Sequence, residues 1–402
     1  MKEFDPSDFL VIGSGIIGLS IGIALLESRP NLKVLIFEKE SNYGMHASGR
    51  NSGVIHAGFY YSPESFKARF CADGNKELKA LCKENNLPLK VTGKVVVTSS
   101  MDEVGRLEAL YYRGLENKIE LELLDENQLV KFEPAARTHQ KFLWSPTTAI
   151  ADPRSVIDYL ALKFKKLGGV IVTGNAIKLR EYNGAIKAFI QNKEIPTSYI
   201  VNAAGVYADQ IARSVGVGTE FACLPFKGIY RVSKKLNSSP KTLIYPVPHP
   251  VNPFLGVHVT LTLDGDIKIG PTALPLFGRE QYSVTDYVKF REIKDSLKSM
   301  LSLVTGKEYN LGEIFRDEVP KILTKFIVRD VARIVPGIKE VNNWKKLKPG
   351  IRAQLVNLET GKLEQDFIIR QSHNSTHILN AVSPGWTSAL PFGRWIAESI
   401  VY

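Results

Sequence analysis

The sequence predicts a mixed α/β fold: a Rossmann-like nucleotide-binding domain built from discontinuous segments, plus a second domain of mostly antiparallel β-sheet with helices. Two observations near the amino terminus support the first domain. A glycine run at residues 13–18 directly follows an apolar segment, residues 8–12. A second apolar run, residues 33–37, then ends on the carboxylate of Glu38. The third observation, apolar alternation over residues 224–270, is typical of antiparallel strands.

The glycine run fits the G-x-G-x-x-G fingerprint of strand–turn–helix units that bind dinucleotides. Gly13 would permit the tight turn, Gly15 would let the backbone approach a pyrophosphate, and Gly18 would let the helix pack closely on the strand. The helix that begins near Ile16 would direct its positive amino-terminal end at the phosphates. Glu38 would accept hydrogen bonds from a pair of ribose hydroxyls. This part of the chain therefore predicts an adenine dinucleotide.

The apolar spacing along the rest of the chain predicts the remaining elements. Asp152 is a typical helix N-cap with Pro153 in the first turn, and Gly168 ends the helix that follows. Other helices are expected over residues 63–86, 101–117 and most of 283–336, with a closing helix after residue 388. Strands are expected over residues 91–98, 170–173, 199–205, 350–354 and 378–381.

The signals typical of a bound cofactor are spread over residues 13–58, 201–209 and 350–388. A nicotinamide enzyme usually keeps its fingerprint domain in one continuous block, so this scatter favours FAD, a longer ligand that contacts more of the chain. We therefore predict two domains. The FAD-binding domain comprises residues 1–88, 150–220 and 345–402, and the substrate domain comprises residues 89–149 and 221–344.

Length and composition are ordinary for a soluble two-domain enzyme: 402 residues, 44% hydrophobic and 23% charged. The three cysteines have no CxxC or histidine spacing suited to a metal, which predicts reduced thiols in a cytoplasmic protein and no metal site. Residues 9–26 carry no charge, but glycines interrupt them and acidic residues precede them. We therefore expect a buried strand and helix there, and neither a signal peptide nor a membrane span.

The net charge of +11 is compatible with nucleic acid, an anionic membrane surface or an anionic substrate as partner. Lys321, Lys325, Arg329 and Arg333 recur every four residues, which predicts one basic face of an amphipathic helix. A solvated face is the default interpretation. Peripheral attachment to acidic lipid, at the inner face of the cell membrane, is the alternative. Nucleic acid is not expected, because no recognised reading module accompanies the charge.

A second glycine-rich segment, residues 48–58, extends the pattern. Together with the fingerprint, Glu38 and residues 202–209, it resembles the D-amino-acid-oxidase-like flavoprotein superfamily. Further segments are similar to the L-2-hydroxyglutarate dehydrogenase/oxidase family: residues 56–61, 65–71, 245–248, 253–258, 270–273 and 350–354. The resemblance implies non-covalent FAD held between the Rossmann-like domain and the antiparallel sheet. It also implies oxidation of the α-hydroxyl of a short dicarboxylate, giving 2-oxoglutarate.

Candidate site residues follow from the chemistry that such a reaction needs. His56 and His258 are the candidates for the base that accepts the hydroxyl proton, because imidazole titrates near neutral pH. His56 ranks first because it follows the glycines expected at the flavin. The candidates for binding the substrate carboxylates are Arg352, Lys227, Tyr230, Tyr60, Tyr61 and Tyr245. The candidates for binding the cofactor are Gly13, Ser14, Gly15, Ile16, Ile17, Gly18, Glu38, Lys39, Ser48, Arg50, Asn51, Ser52, Gly53, Ala204, Gly205, Gly385, Trp386 and Thr387.

Two alternatives stay open at this point. The first is an FAD-dependent amino-acid or amine oxidase or dehydrogenase of the same superfamily, of the glycine or sarcosine type. The second is a flavin-bound subunit that mainly binds nucleic acid or a partner through a basic face. The electron acceptor, oxygen or a quinone, is also open, and our hypothesis is a membrane-associated dehydrogenase with weak oxygen use.

Overall fold

The computed structural model describes residues 4–234, 239–249, 254–283, 285–306 and 311–400. Pro253, in one of the segments that carry the resemblance, lies outside the described residues. The strands are β1 (Ser7–Ile12), β2 (Val34–Phe37), β3 (Val54–Ile55), β4 (Leu89–Val91), β5 (Lys94–Val97), β6 (Glu122–Asp125), β7 (Lys141–Ser145), β8 (Ala149–Ala151), β9 (Val170–Val172), β10 (Ile177–Tyr182), β11 (Ala185–Ile190), β12 (Lys193–Ile195), β13 (Thr197–Asn202), β14 (Phe221–Gly228), β15 (Arg231–Ser233), β16 (Leu243–Pro246), β17 (His258–Leu261), β18 (Ile267–Gly270), β19 (Leu274–Pro275), β20 (Lys345–Lys346), β21 (Gly350–Asn357), β22 (Lys362–Leu363), β23 (Ile369–Ser372) and β24 (Ser375–Ile378). The α-helices are α1 (Ile16–Ser28), α2 (Phe66–Glu84), α3 (Val104–Glu116), α4 (Leu129–Phe132), α5 (Pro153–Lys166), α6 (Ala208–Arg213), α7 (Phe290–Gly306), α8 (Leu311–Glu318), α9 (Thr324–Val331) and α10 (Ala389–Ser399).

A six-stranded sheet in the order β23-β24-β13-β1-β2-β9 is the centre of the nucleotide-binding part. Its strands are parallel except for β23. In the register of this sheet, Ile12 at the end of β1 lies opposite Phe37 of β2 and Asn202 of β13. The residues that follow these three strands therefore meet at one edge, which is where open α/β sheets bind ligands.

Helix α1 is almost entirely buried, in agreement with the uncharged sequence around it. It packs against α5 and α10, so the apolar run of residues 9–26 is the strand and helix that the sequence predicted. Glycine permits the close approach: a Cβ on Gly22 would lie 2.7 Å from the Phe164 ring, and one on Gly393 would lie 2.7 Å from Ser20. Among the described residues, no helix is both long enough and apolar enough to cross a membrane.

An eight-stranded sheet in the order β20-β15-β18-β17-β16-β5-β7-β6 is the largest element of the second part. Its pairs are antiparallel, as predicted, except that β16 runs parallel to β5. Because β5 and β16 are far apart in the chain, this pairing places residues 94–97 beside residues 243–246. The side chains of these strands and of β17 form one wall of the site described below.

A four-stranded sheet, β19-β14-β21-β22, joins segments that we assign to different domains. Strands β14 and β21 pair along eight residues, so Phe226 lies opposite Arg352 and Gly228 lies opposite Gly350. The six-stranded sheet likewise draws on segments between residues 7 and 378. We keep the discontinuous two-domain division as a proposal, and this long-range pairing supports its discontinuous character.

Two local expectations were wrong. The strand expected over residues 91–98 is two strands, β4 and β5, because the chain turns at Gly93, which has a φ of +63°. The basic helix face does not exist as expected, since Leu323, with a ψ of 126°, separates a short 3-10 helix, Val319–Ile322, from α9. Lys321 is buried and pairs with Glu318. The three cysteines are free and buried, as expected of reduced thiols.

Candidate active site

One large cavity, of about 640 Å³, is lined by residues from the edge of the six-stranded sheet, from the eight-stranded sheet and from β21. Most of the residues that the sequence singled out line it. From the cofactor candidates these are Gly13, Gly15, Ile16, Ile17, Glu38, Lys39, Ser48, Arg50, Asn51, Ser52, Ala204, Gly205, Gly385, Trp386 and Thr387. From the catalytic and substrate candidates these are His56, His258, Arg352, Tyr230 and Tyr245.

The glycine fingerprint has the geometry that its spacing predicted. Gly13 has a φ of +101°, and a Cβ on it would lie 2.6 Å from the carbonyl oxygen of Ala203. A Cβ on Gly18 would lie 2.0 Å from the carbonyl oxygen of Gly13, so Gly18 does not line the cavity but allows α1 to pack on the turn. The hydroxyl of Ser48 accepts a hydrogen bond from the Ile16 amide at 2.9 Å. The strand end and the positive end of α1 therefore form an open cradle for an anion.

Glu38 is held in place by its neighbours. One carboxylate oxygen accepts hydrogen bonds from the amide and the hydroxyl of Ser14, at 3.1 and 2.7 Å, and the other accepts one from the Glu40 amide at 3.0 Å. Ser14 is fully buried, so it supports Glu38 rather than facing the cavity. A carboxylate offers about four acceptor positions, so Glu38 retains capacity for a ribose hydroxyl.

A charged cluster that sequence reasoning missed lies at the same end of the cavity. Lys39 pairs with Glu40 and Glu280, while His46 approaches Glu40 at 3.0 Å and the hydroxyl of Tyr282 at 2.7 Å. Burial lowers the pKa of Lys39, but its hydrogen bonds with Glu280 and Glu40 outweigh burial, so the pKa is raised. The ammonium thus compensates the two carboxylates. No local signal joins residues 39–46 to residues 280–282.

The loop after β2 is fixed by hydrogen bonds and by a contact between a cation and an aromatic ring. The guanidinium of Arg50 stacks 3.9 Å from the Tyr282 ring centroid and donates to the Pro349 carbonyl at 3.3 Å. The side-chain oxygen of Asn51 accepts a hydrogen bond from the Gly53 amide at 3.0 Å. Gly53 itself does not line the cavity. Lys268, which sequence reasoning also missed, donates to the Ser52 carbonyl at 2.7 Å.

His258 is buried and has a defined orientation. Its Nδ1 lies 2.8 Å from the Gly256 carbonyl and therefore carries the proton that it donates there, leaving Nε2 as an acceptor. The ring stacks on Tyr245, with 3.8 Å between the centroids. Burial lowers the pKa of His258 to about 3, and the hydrogen bond to Gly256 offsets only part of this effect. The imidazole is therefore neutral near pH 7.

His56 lies in the loop after β3, and its backbone amide donates to the Thr387 hydroxyl at 3.2 Å. Its Nδ1 is buried and has no hydrogen-bond partner within the described part of the chain. Burial, assisted by the positive charges of Lys94 and Arg352, lowers the pKa of His56 to about 3. A neutral imidazole with an unused ring nitrogen thus lies in the cavity wall.

Arg352 brings positive charge to a group of tyrosines. Burial raises the pKa of Tyr61, Tyr230 and Tyr245, and the Arg352 guanidinium opposes this in each case. These phenols are therefore neutral hydrogen-bond donors beside a permanent cation. Tyr61 does not line the cavity itself, but it forms a hydrogen bond with the side chain of Ser383, a residue that lines the cavity.

The structure does not bring every substrate candidate to the cavity. Lys227 is buried on β14, where its neighbour Gly228 lines the cavity and Lys227 itself does not. Burial lowers the pKa of Lys227, and the negative charge of Asp286 opposes this. Tyr60 also lies behind the lining, with a buried hydroxyl that has no partner among the described residues. It contacts Lys94, a buried lysine that the sequence analysis did not identify as a candidate.

Comparison with known proteins gives one consistent picture. The family model described as FAD dependent oxidoreductase (DAO) matches residues 8–399. The L-2-hydroxyglutarate dehydrogenase of Indibacter alkaliphilus is 36% identical over 400 residues, covering 97% of each chain. That of Escherichia coli K12 is 34% identical, covering 98% of this chain and 93% of its own.

Solved structures of lower identity share the fold. An L-α-glycerophosphate oxidase from Mycoplasma pneumoniae, with FAD bound, has a TM-score of 0.75 at 24% identity over 97% of this chain and 94% of its own. Glycine oxidase from Geobacillus kaustophilus has a TM-score of 0.72 at 16% identity, covering 98% of this chain and 94% of its own. These structures confirm the predicted fold class, and the family model confirms FAD as the cofactor.

Proposed function

Because this chain belongs to the DAO family of FAD dependent oxidoreductases, we propose that it oxidises the α-hydroxyl of L-2-hydroxyglutarate, or of a close short-chain 2-hydroxy acid, to the 2-oxo acid. The observation that carries the proposal is the pair of neutral histidines beside Arg352 on the wall of the cofactor cavity. Two relatives similar over nearly the whole chain are named for this substrate.

The residues present fit FAD, which we propose to be held without a covalent bond. Gly13, Gly15 and the start of α1 would hold the pyrophosphate, since they line the cavity and a Cβ on either glycine would lie 3.0 Å or less from a neighbouring oxygen. Glu38 would accept a hydrogen bond from the adenosine ribose. The loop at residues 50–52 and the backbone of residues 385–387 would hold the flavin end. When bound, the flavin supplies the hydride acceptor.

His56 is the base that we propose for the hydroxyl proton. It is neutral, it lines the cavity, and its Nδ1 has no partner among the described residues. A base must have its lone pair available at working pH, and the lowered pKa keeps it available. His258 is the second candidate, because its Nδ1–H···O=C bond to Gly256 leaves Nε2 as an acceptor. Variants at both positions separate them, as described in the Discussion.

Binding of the substrate carboxylates falls to Arg352 and the tyrosines around it. The Arg352 fork can hold one carboxylate by two parallel hydrogen bonds. Tyr230 and Tyr245 line the cavity and are neutral donors, so they can bind carboxylate oxygens without adding charge. This arrangement orients the α-carbon, and burial of the site excludes water from it.

A panel of substrates with an artificial electron acceptor tests the proposed function. We expect turnover of L-2-hydroxyglutarate with 2-oxoglutarate as product, at a kcat/KM at least about 10²-fold above that of glycine or sarcosine, since a missing carboxylate leaves buried polar groups unpaired. Faster turnover of either amine would replace the proposal by the amine-oxidase alternative.

For the electron acceptor, we propose a quinone reached at an anionic membrane surface, with weak use of oxygen. Exposed apolar side chains support this: Tyr287, Phe290, Leu297, Leu301, Val304, Val319, Ile322 and Leu323. Lys325 and Arg329 are exposed beside the last of these on α9. Exposed apolar side chains with exposed cations close by in the chain are typical of segments that bind anionic lipid.

Two measurements test this surface. We expect co-sedimentation with phosphatidylglycerol vesicles and reduced binding after Leu301→Ser or Arg329→Glu, with the flavin content unchanged. Rates with oxygen that equal those with an artificial quinone, or binding that neither substitution weakens, would contradict the proposal.

A further inference from the structure

Lys94 is the most unusual buried group near the cavity. It is the first residue of β5, its exposure is 0%, and its Nζ makes no hydrogen bond within the described part of the chain. An isolated ammonium in a protein interior costs several kcal/mol of desolvation. A lysine buried in this way therefore needs an explanation from its surroundings.

Aromatic rings enclose the Lys94 side chain. The Nζ lies 4.4 Å from the ring centroid of Phe59, 4.6 Å from that of Tyr60 and 4.8 Å from that of Tyr245. Contacts between a desolvated cation and aromatic rings are favourable, so this enclosure tolerates an ammonium. Tyr245 also lines the cavity and stacks on His258. One ring is thus shared between Lys94 and the cavity wall.

The ionisable groups around Lys94 are almost all neutral. They come from the loop after β3 and from α2, β16 and β17, and they are His56, Tyr60, Cys71, Tyr245 and His258. Arg352 of β21 acts, together with Lys94, on both of these histidines. Burial raises the pKa of the phenols and of the Cys71 thiol and lowers that of both imidazoles. The charge of Arg352 is permanent, and it is positive.

No carboxylate of the described residues acts on Lys94. Burial lowers the pKa of Lys94 to about 7, and the nearby Cys71 thiol opposes this only weakly. The amine is therefore mostly neutral above pH 7 while the cavity holds no anionic substrate. An anion that enters the cavity would be the first negative charge near it.

We propose that Lys94 takes up a proton when a dianionic ligand enters the cavity, and that the resulting ammonium selects dicarboxylates over monocarboxylates. The inference rests on the proposed function and deepens it. Arg352 balances one carboxylate of the ligand, and the ammonium of Lys94, acting across Tyr245, balances the second. The proton comes from solvent, and no other bond forms or breaks. A monocarboxylate brings one negative charge, which Arg352 already balances, so it does not ionise Lys94.

Proton uptake on binding tests this without turnover. The probe is glutarate, a dicarboxylate that lacks the reacting hydroxyl, titrated into the FAD-loaded enzyme at pH 8 by calorimetry in buffers of different ionisation enthalpy. We expect uptake of about one proton by the wild type and none by Lys94→Met. Lys141→Met is the matched control, because it makes the same substitution in the same sheet at a partly exposed lysine, and it should behave as the wild type.

Any of three calorimetric results would overturn the inference. Glutarate fails to bind the wild type, it binds the wild type without proton uptake, or proton uptake persists in Lys94→Met. The wild-type measurement stands even if the variant does not fold. It also stands apart from the proposed function, since it needs no oxidation.

Substrate selectivity gives a second readout. We expect Lys94→Met to lower kcat/KM for L-2-hydroxyglutarate by at least about tenfold, the size of an effect from one charge-assisted contact. With 2-hydroxyvalerate, which has one carboxylate, kcat/KM should stay unchanged. An equal loss with both substrates would indicate that Lys94 only positions the histidines, and no loss with either would indicate a structural role. Both results would reject the inference while leaving the proposed function intact.

Discussion

The two walls of the cavity are built in different ways. At the nucleotide wall, the backbone provides the site: glycines at residues 13–18 and the ends of three adjacent strands. At the substrate wall, side chains provide it, and they come from strands that pair over long sequence separations, as β5 does with β16. Backbone geometry is encoded locally, whereas the charge of a buried side chain depends on neighbours from the whole fold. Substitutions that add volume should therefore have their effect at the nucleotide wall, and substitutions that alter charge should have theirs at the substrate wall.

The largest expected effect is at the substrate wall. His56→Asn keeps a hydrogen-bonding side chain but removes the base, so we expect kcat to fall by about 10²–10⁴-fold. The measurement is the rate of anaerobic flavin reduction by L-2-hydroxyglutarate. His258→Asn should cost less if His56 is the base. His139→Asn, at an exposed histidine, is the matched control and should leave the rate unchanged. A reversed order of the two active-site variants would make His258 the base.

The next effect is at a buried ion pair that connects the walls. Arg279 binds Asp209 with both terminal nitrogens, and both side chains are at most 2% exposed. Burial raises the pKa of Asp209, but the Arg279 guanidinium outweighs this and holds it below its usual range. Asp209→Asn should lower the free energy of unfolding by about 3–5 kcal/mol, because it removes the bidentate carboxylate from a buried cation and leaves only Asp295, at 3.6 Å. Denaturant unfolding measures this.

The control for that pair is Glu194→Gln, which breaks an exposed pair with Lys187 and should cost less than about 1 kcal/mol. If both variants lose the same stability, burial does not decide the strength of these ion pairs.

Acidification should lower the free energy of unfolding because of two buried histidines in the substrate wall. His56 and His258 have a folded pKa of about 3 against about 6.5 when unfolded. The unfolded chain therefore binds more protons below pH 6.5, so each histidine removes about 1.4 kcal/mol of stability per pH unit of acidification towards pH 3. The His56→Asn/His258→Asn double variant should show a shallower loss between pH 6.5 and 4.5. An unchanged slope would mean that the histidines do not titrate this way.

The smallest effect is expected at the nucleotide wall. Gly13→Ala places a methyl group against the Ala203 carbonyl at a positive φ, which costs about 1–3 kcal/mol and should lower FAD affinity by about tenfold or more. Gly168→Ala has a similar φ of +94° but nothing within 4 Å of the added Cβ. It should retain FAD at the wild-type level, as measured by the flavin content of the purified protein. Equal losses would mean that backbone strain, rather than contact with the strand ends, is responsible.

The nucleotide wall was predictable from sequence because its information is local. The spacing of Gly13, Gly15 and Gly18 and the acid at the tip of β2 determine the turn and the position of Glu38. The observed contacts of Ser14 with Glu38 add detail but do not change the interpretation. The adenine dinucleotide followed from these local signals, whereas FAD followed from the spread of such signals over residues 13–58, 201–209 and 350–388 and from the family resemblance.

The substrate wall was only partly predictable. His258 and Tyr245 were candidates separately, but their stacking depends on the pairing of β16 with β17. Lys94 is the first residue of an apolar strand, and no sequence pattern marks it as unusual. Its environment becomes apparent only when the fold places Phe59 and Tyr60 against it. Lys227 was expected at the cavity, yet its neighbour Gly228 lines it instead.

Anaerobic mixing of the FAD-loaded enzyme with L-2-hydroxyglutarate tests the central claim most directly. The account predicts that the flavin absorbance bleaches, that one 2-oxoglutarate forms per flavin, and that the D-enantiomer leaves the flavin oxidised. A flavin that stays oxidised with L-2-hydroxyglutarate while glycine or sarcosine bleaches it would contradict the account.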